Sequence, residues 1–182
     1  MTPMSDGKLT PSSDDAQALF EGGLSRYRQG DAVEAHACFE RAHRRAPADP
    51  RFMSWYGLTL VLVEKNSSLG IVFCDQAIRT SGPEPELLLN QARAHLALGQ
   101  RDYAVKTIAR GLAAWPLDPS LKLAQACMGW RRRSVIPFLG RSNPLNRWLG
   151  KLRHRFSRRL HPVPGFTPMT LGLLPEEAPP AE

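Results

Sequence analysis

Small residues recur through the first two thirds of this chain at intervals of 34 or 35 positions. Gly23, Gly57 and Ala92 form one series, Ala35, Gly70 and Ala104 a second, and Ala42, Ala77 and Gly111 a third. A period of this length marks a stacked-repeat architecture. Each unit is too small to bury its own apolar face and gains a core only by packing on the next. The outer copies correspond closely: Gly30 and Gly99, Ala35 and Ala104, Phe39 and Ile108, and "PADP" (47–50) and "PLDP" (116–119) are all 69 apart. The middle copy is looser, with one extra residue near 64–68 ("EKNSS") and "PEP" at 83–85.

Within a copy, apolar residues fall at three- and four-residue steps, so each copy reads as two amphipathic helices, for example 15–29 and 32–46. Small residues belong where the two helices approach most closely, because a larger side chain would push them apart. "QGDAVEA" and "GQRDYA" supply the turn: Gly ends one helix and Asp lies near the start of the next. Pro and Asp close each copy and open its successor, where proline is tolerated in a first turn. Phe39, Cys74 and Ile108 fill the crevice between neighbouring helices.

These features together resemble the tetratricopeptide repeat. "FEGGLSRYRQGDAVEAHACFERAHRRAPADP" is a close match, "LLLNQARAHLALGQRDYAVKTIARGLAAWPLDP" a good one, and "MSWYGLTLVLVEKNSSLGIVFCDQAIRTSGP" a degenerate one. The resemblance covers residues 15–118, with a fourth first-helix at 119–132 as a cap. The large aromatic that the family carries early in its first helix is absent, and Leu19, Met53 and Leu88 stand there. The implied fold is an all-α, right-handed superhelical solenoid of about three helix pairs plus a capping helix, followed by a basic amphipathic C-terminal helix. The domain plan expected is a flexible N-terminus (1–13), the repeat domain with its cap (14–133), a basic connector and amphipathic helix (134–161) and a Pro-rich flexible tail (162–182).

Resemblance to the family further implies a concave groove lined by the first helices, binding a protein partner. Projected onto that plan, the groove receives Gln17, Phe20, Leu24, Tyr27 and Arg28 from the first copy and Arg51, Ser54, Leu58, Val61 and Leu62 from the second. The third copy gives Glu86, Leu89, Arg93 and Leu96, and Leu123, Cys127 and Trp130 extend the face. Some family members grip the acidic C-terminus of chaperones with a clamp of Lys, Arg and Asn. Here Phe20 and Leu24 replace the first Lys and Asn, and Trp55 the next Asn. The face is instead rather apolar, which suits a helix or an extended hydrophobic segment. Part of it could equally be covered by the chain's own C-terminal region. A scaffold or adaptor is the function expected. A chaperone for a hydrophobic client is the alternative, as is an adaptor associated with nucleic acid through the Arg-rich tail.

Charge is concentrated behind the repeats. Residues 1–118 hold 13 Lys or Arg and 14 Asp or Glu, whereas residues 119–175 hold 11 basic groups and no acid. A cationic block of this kind points to an anionic partner. Within "SNPLNRWLGKLRHRFSRRL" (142–160), helical spacing puts Leu145, Trp148, Leu149, Leu152, Phe156 and Leu160 on one stripe. Arg147, Lys151 and Arg158 lie opposite, with Arg153, Arg155 and Arg159 on the flanks. The segment combines a Trp-bearing apolar face with a cationic rim, as a membrane-surface helix requires. Nucleic acid fits it less well, since half the helix is apolar and few aromatics are left to stack on bases. The third reading is a stripe that packs on the last repeat with its arginines solvated.

No catalytic constellation is present. His36, His43, His95, His154 and His161 show no ligand spacing with Cys or acids, and there is no GxSxG, Walker loop or GxGxxG. The chain is expected to be no enzyme and to use no cofactor or metal. Cys38, Cys74 and Cys127 are widely spaced and odd in number, hence buried thiols in a reducing compartment. The opening "MTPMSDGKLTPSSDD" has no apolar stretch behind a positive start, and the run LTLVLV (58–63) is far too short to span a bilayer. A cytoplasmic location follows, with peripheral attachment at the inner membrane face through the tail.

Overall fold

The computed structural model describes residues 13–64, 67–128 and 167–173. Among the described residues seven helices follow one another: α1 (Ser13–Arg28), α2 (Ala32–Arg45), α3 (Pro50–Val63), α4 (Ser67–Ser81), α5 (Pro85–Ala97), α6 (Arg101–Ala114) and α7 (Pro119–Met128). No strand occurs among the described residues. The helices pack as consecutive pairs, α1 on α2, α3 on α4 and α5 on α6, and α7 closes the stack against α5 and α6. First helices also touch across pairs, α3 against α5 and α5 against α7. This is the all-α solenoid that the 34-residue period requires.

Local chemistry sets the helix ends. The Asp31 carboxylate accepts from the Glu34 amide at 3.0 Å, that of Asp49 from Arg51 at 2.8 Å, and that of Asp118 from Leu121 at 2.8 Å. Each satisfies an amide that the helix itself cannot, worth about 1 kcal/mol per cap. Pro50 and Pro85 occupy first turns, where a missing N–H costs nothing. Gly30 and Gly99 end the first helices of the outer copies at φ 87° and 72°, a backbone region open to glycine. The third copy departs from the expected cap. Gln100 holds that position without a side-chain hydrogen bond, and Asp102 lies in the first turn of α6, where the helix dipole favours an acid.

The small-residue series marks the helix crossings. A Cβ on Gly57 would lie 2.7 Å from the Gly70 carbonyl oxygen, and one on Gly70 would lie 2.6 Å from that of Gly57. Between the pairs runs an aromatic core. Phe20 contacts Phe39 and Phe52 with ring centroids 5.6 and 4.8 Å apart, and Trp55 contacts Phe39 and Tyr27 at 5.2 and 4.9 Å. Phe39, Cys74 and Ile108 fill the crevices as their spacing predicted, all essentially without exposure. The Cys74 thiol donates to the Ser54 carbonyl at 3.7 Å, and burial pushes it up to about 12.

Adjacent glycines in α1 give a test with opposite signs. A Cβ at Gly23 would meet the buried Phe39 ring at 2.6 Å, whereas one at Gly22 meets only the tip of Arg26 at 3.4 Å. Gly23→Ala is expected to destabilise by about 1–3 kcal/mol through overpacking. Gly22→Ala is expected to stabilise by up to about 1 kcal/mol through helix propensity. Thermal unfolding of the two variants beside the wild type measures both. A Gly23→Ala protein as stable as wild type would show that the crossing does not depend on Gly23.

Candidate functional site

The concave face is built on α1, α3, α5 and the start of α7. Tyr27, Trp55 and Arg93 form its floor. The Tyr27 ring meets Trp55 edge-on at 4.9 Å, and the Arg93 guanidinium carbon lies 5.6 Å from the centre of the Trp55 ring. Arg93 is 3% exposed. A charge so deeply placed must be hydrogen-bonded. Its Nη1 donates to Asn90 Oδ1 at 2.9 Å, and Asn90 Nδ2 donates in turn to Ser54 Oγ at 3.2 Å. A polar ladder therefore runs from the groove down between α5 and α3. At the rim, Glu86 accepts from Trp55 Nε1 at 2.7 Å and from Arg51 Nε at 3.2 Å, and Arg51 covers the Phe20 ring at 4.9 Å.

This groove is occupied by the chain itself. Residues 167–173 ("TPMTLGL") form a single closed turn against it. The Thr167 amide donates to Thr170 Oγ1 at 2.9 Å, and the Thr170 amide donates back to Thr167 Oγ1 at 3.2 Å. These reciprocal bonds follow the capping-box pattern, with threonine in place of the usual Glu or Gln. Pro168 takes the first-turn position, and Gly172 ends the turn at φ 72°. Tyr27 Oη donates to the Met169 carbonyl at 3.0 Å and Arg93 Nε to the Leu171 carbonyl at 2.9 Å. Leu171 is fully buried, packed in one cluster with Leu89, Ala92 and Leu121. A Cβ at Gly172 would lie 2.7 Å from Leu89 Cδ2 and 2.9 Å from the Ser120 carbonyl oxygen. Burial pushes the Tyr27 phenol up to about 12, with Arg93 opposing the shift, so the hydroxyl remains a neutral donor.

Beside the turn a cavity of about 280 Å³ stays open, lined by Leu24, Arg28, Arg51, Trp55, Pro85, Glu86 and Asp118 among others. The sequence-derived groove residues divide on this surface. Leu24, Tyr27, Arg28, Arg51, Glu86, Leu89 and Arg93 line it. Phe20, Ser54, Leu58 and Val61 are not among the cavity-lining residues; they are 3% exposed or less, as Tyr27 and Arg93 are beneath the docked turn. The physical reason lies in α3, whose span carries a single charged residue, Arg51. A helix that is apolar nearly all round is buried nearly all round, and of α3 only Arg51 and Trp55 reach the cavity. Leu62 packs half-buried on the first core cluster, and Leu96 and Cys127 on the second. Gln17 bonds Glu21 along α1. Trp130 and the whole proposed anionic-surface set (Arg147, Trp148, Lys151, Arg153, Arg155, Phe156, Arg158 and Arg159) lie outside the described residues.

Sequence reasoning missed Pro85, Asp118 and Ser120, which stand at the starts of α5 and α7. It also read 162–182 as a flexible Pro-rich tail, whereas 167–173 is folded on the groove. The overlooked signal was Thr-Pro-Met-Thr before Leu-Gly-Leu, a cap followed by alternating apolar residues.

No protein-family model matches the sequence, and no curated protein matches it. Among solved structures, the chain is similar to the first TPR of Spaghetti (RPAP3) bound to the HSP90 peptide SRMEEVD. The TM-score is 0.51 at 21% identity, over 61% of this chain and 89% of that one. The fold is the tetratricopeptide repeat. Within the described residues, no helix of this repeat domain is long and apolar enough to cross a membrane, and no cluster of three or more His, Cys, Asp or Glu could hold a metal ion.

Arg93 is the buried joint between groove and occupant. Arg93→Met keeps the apolar stem but leaves Asn90 Oδ1 and the Leu171 carbonyl without this donor. The expected loss is about 1–3 kcal/mol, the cost of unsatisfied buried acceptors. Urea unfolding measures it, and an unchanged midpoint would show that the ladder contributes nothing to stability.

Proposed function

We propose that this chain is a non-enzymatic protein-interaction module that binds a partner segment in its concave groove. The observation that carries this reading is the floor of Tyr27, Trp55 and Arg93, from which Tyr27 and Arg93 donate to main-chain carbonyls while Leu89 and its neighbours take an apolar side chain. The similar TPR of Spaghetti holds a peptide. That peptide is acidic, and here the surface departs from an acid-binding one. Arg51 is paired with Glu86, Asp118 stands on the same rim, and Leu24 and Trp55 replace polar clamp positions. The fitting ligand is an uncharged, partly apolar segment, and an adaptor role is the function that uses it. A chaperone would use the same face, and the two separate by whether the bound protein is folded or an aggregation-prone client.

The test uses full-length protein as bait. Leu24→Glu places a charge on the groove wall, and it is expected to reduce partner capture at least about tenfold while circular dichroism stays unchanged. Leu58, fully buried, is unsuitable because a glutamate there would disrupt the core. Undiminished capture by a folded Leu24→Glu protein would remove the groove as the binding surface.

The 11 basic groups without an acid in residues 119–175 favour a second surface, for an anionic membrane. Six basic residues of 142–160 at about 1 kcal/mol each set an upper bound of about 6 kcal/mol on that attraction. Co-sedimentation with anionic vesicles is expected, weakened by salt and by Trp148→Ala. Binding to neutral and anionic vesicles alike would dismiss this surface, and binding to duplex DNA instead would reassign it.

A further inference from the structure

The turn at 167–173 lies in the groove as a ligand would. Among the described residues, the hydrogen bonds that close it are internal, running between Thr167, Thr170, Leu171 and Leu173. Its shape is therefore carried by seven residues and can be presented equally by another chain. The groove reads it through two donors to main-chain carbonyls, one fully buried leucine, and a contact at Gly172 too close for any side chain. No residue of the segment is charged. It is joined to the end of α7 through 38 intervening residues, so a release of the turn need not disturb any helix.

We propose that residues 167–173 are a resident competitor for the groove. The partner is a protein segment of the same chemistry: an uncharged, threonine-capped turn ending in Leu-Gly and a further apolar residue. It binds by displacing the chain's own copy. This rests on the groove being the binding surface and adds what that surface recognises and how access to it is limited. A tethered occupant acts at an effective concentration on the order of 1 mM. If the free heptapeptide has a Kd of about 0.1 mM, self-occupancy lowers the apparent affinity for an outside copy about tenfold.

The experiment is fluorescence anisotropy with a labelled, end-blocked peptide of sequence TPMTLGL, titrated with full-length protein. Gly172→Val expels the internal copy by its steric clash and leaves the groove itself untouched, and Leu171→Asp does the same by charge. Both variants are expected to bind the peptide about tenfold more tightly than wild type. A peptide carrying Asp at the leucine before the glycine is expected not to bind. Adding Tyr27→Phe to Gly172→Val should weaken binding about fivefold, the worth of one neutral hydrogen bond. Equal binding to wild type and variants, or binding to none, overturns the proposal. So does unfolding of both variants, which would make the turn an integral part of the core. If the peptide fails while Leu24→Glu still abolishes partner capture, the groove stands as the binding surface and only its self-occupancy falls.

Discussion

A close backbone approach between paired helices, Gly57 of α3 against Gly70 of α4, governs much of what lies above it. Neither position has space for a Cβ, so the two helices cross at a separation that only glycines permit. Trp55 stands two residues before that crossing and forms the groove floor. The depth at which its ring sits, and the height at which Tyr27 and Arg93 meet it, follow from how far α3 can sink toward α4. The crossing is thus a structural contact whose consequence is read on the opposite face of the same helix.

That face solves a problem set by its own composition. An arginine 3% exposed would be prohibitive if left alone. The ladder through Asn90 to Ser54 holds it from below, the Trp55 ring lies beside it, and the Leu171 carbonyl takes its Nε from above. Two of these supports belong to the repeats and one to the C-terminal turn. The groove and its occupant are coupled through a charge that neither can leave unsatisfied cheaply.

The repeat architecture was legible because period and small-residue spacing are properties of the backbone path, and each copy testifies to the others. The groove was legible only in part. Leu24, Arg51, Leu89 and Arg93 do line the cavity. Phe20, Leu58 and Val61 stand outside the cavity lining, Leu58 and Val61 on an α3 that keeps almost no exposed stripe. The composition of α3, PRFMSWYGLTLVLV, already implied this, since such a helix has no polar side to turn outward. The docked turn was hidden by its surroundings. Six prolines in 162–182 suggested a flexible tail, yet one of them, Pro168, sits where a proline begins a helical turn. The reciprocal threonines that hold the turn are a tertiary-scale feature only in their destination; locally they were on view in four residues.

The sulfur of Cys74 has a separate significance. It fills the crevice beneath the Gly57–Gly70 crossing, wholly enclosed, with its proton directed at a main-chain oxygen and its thiolate form strongly disfavoured. Thiol reagents act on thiolate, so in the closed molecule this sulfur is chemically silent. Cys127, half-buried on α7, has no such enclosure. Modification at Cys74 would then require α4 to swing away from α3, and its rate would time that excursion rather than any reactivity of sulfur. This enclosed thiol is in effect a clock for the breathing of the middle pair.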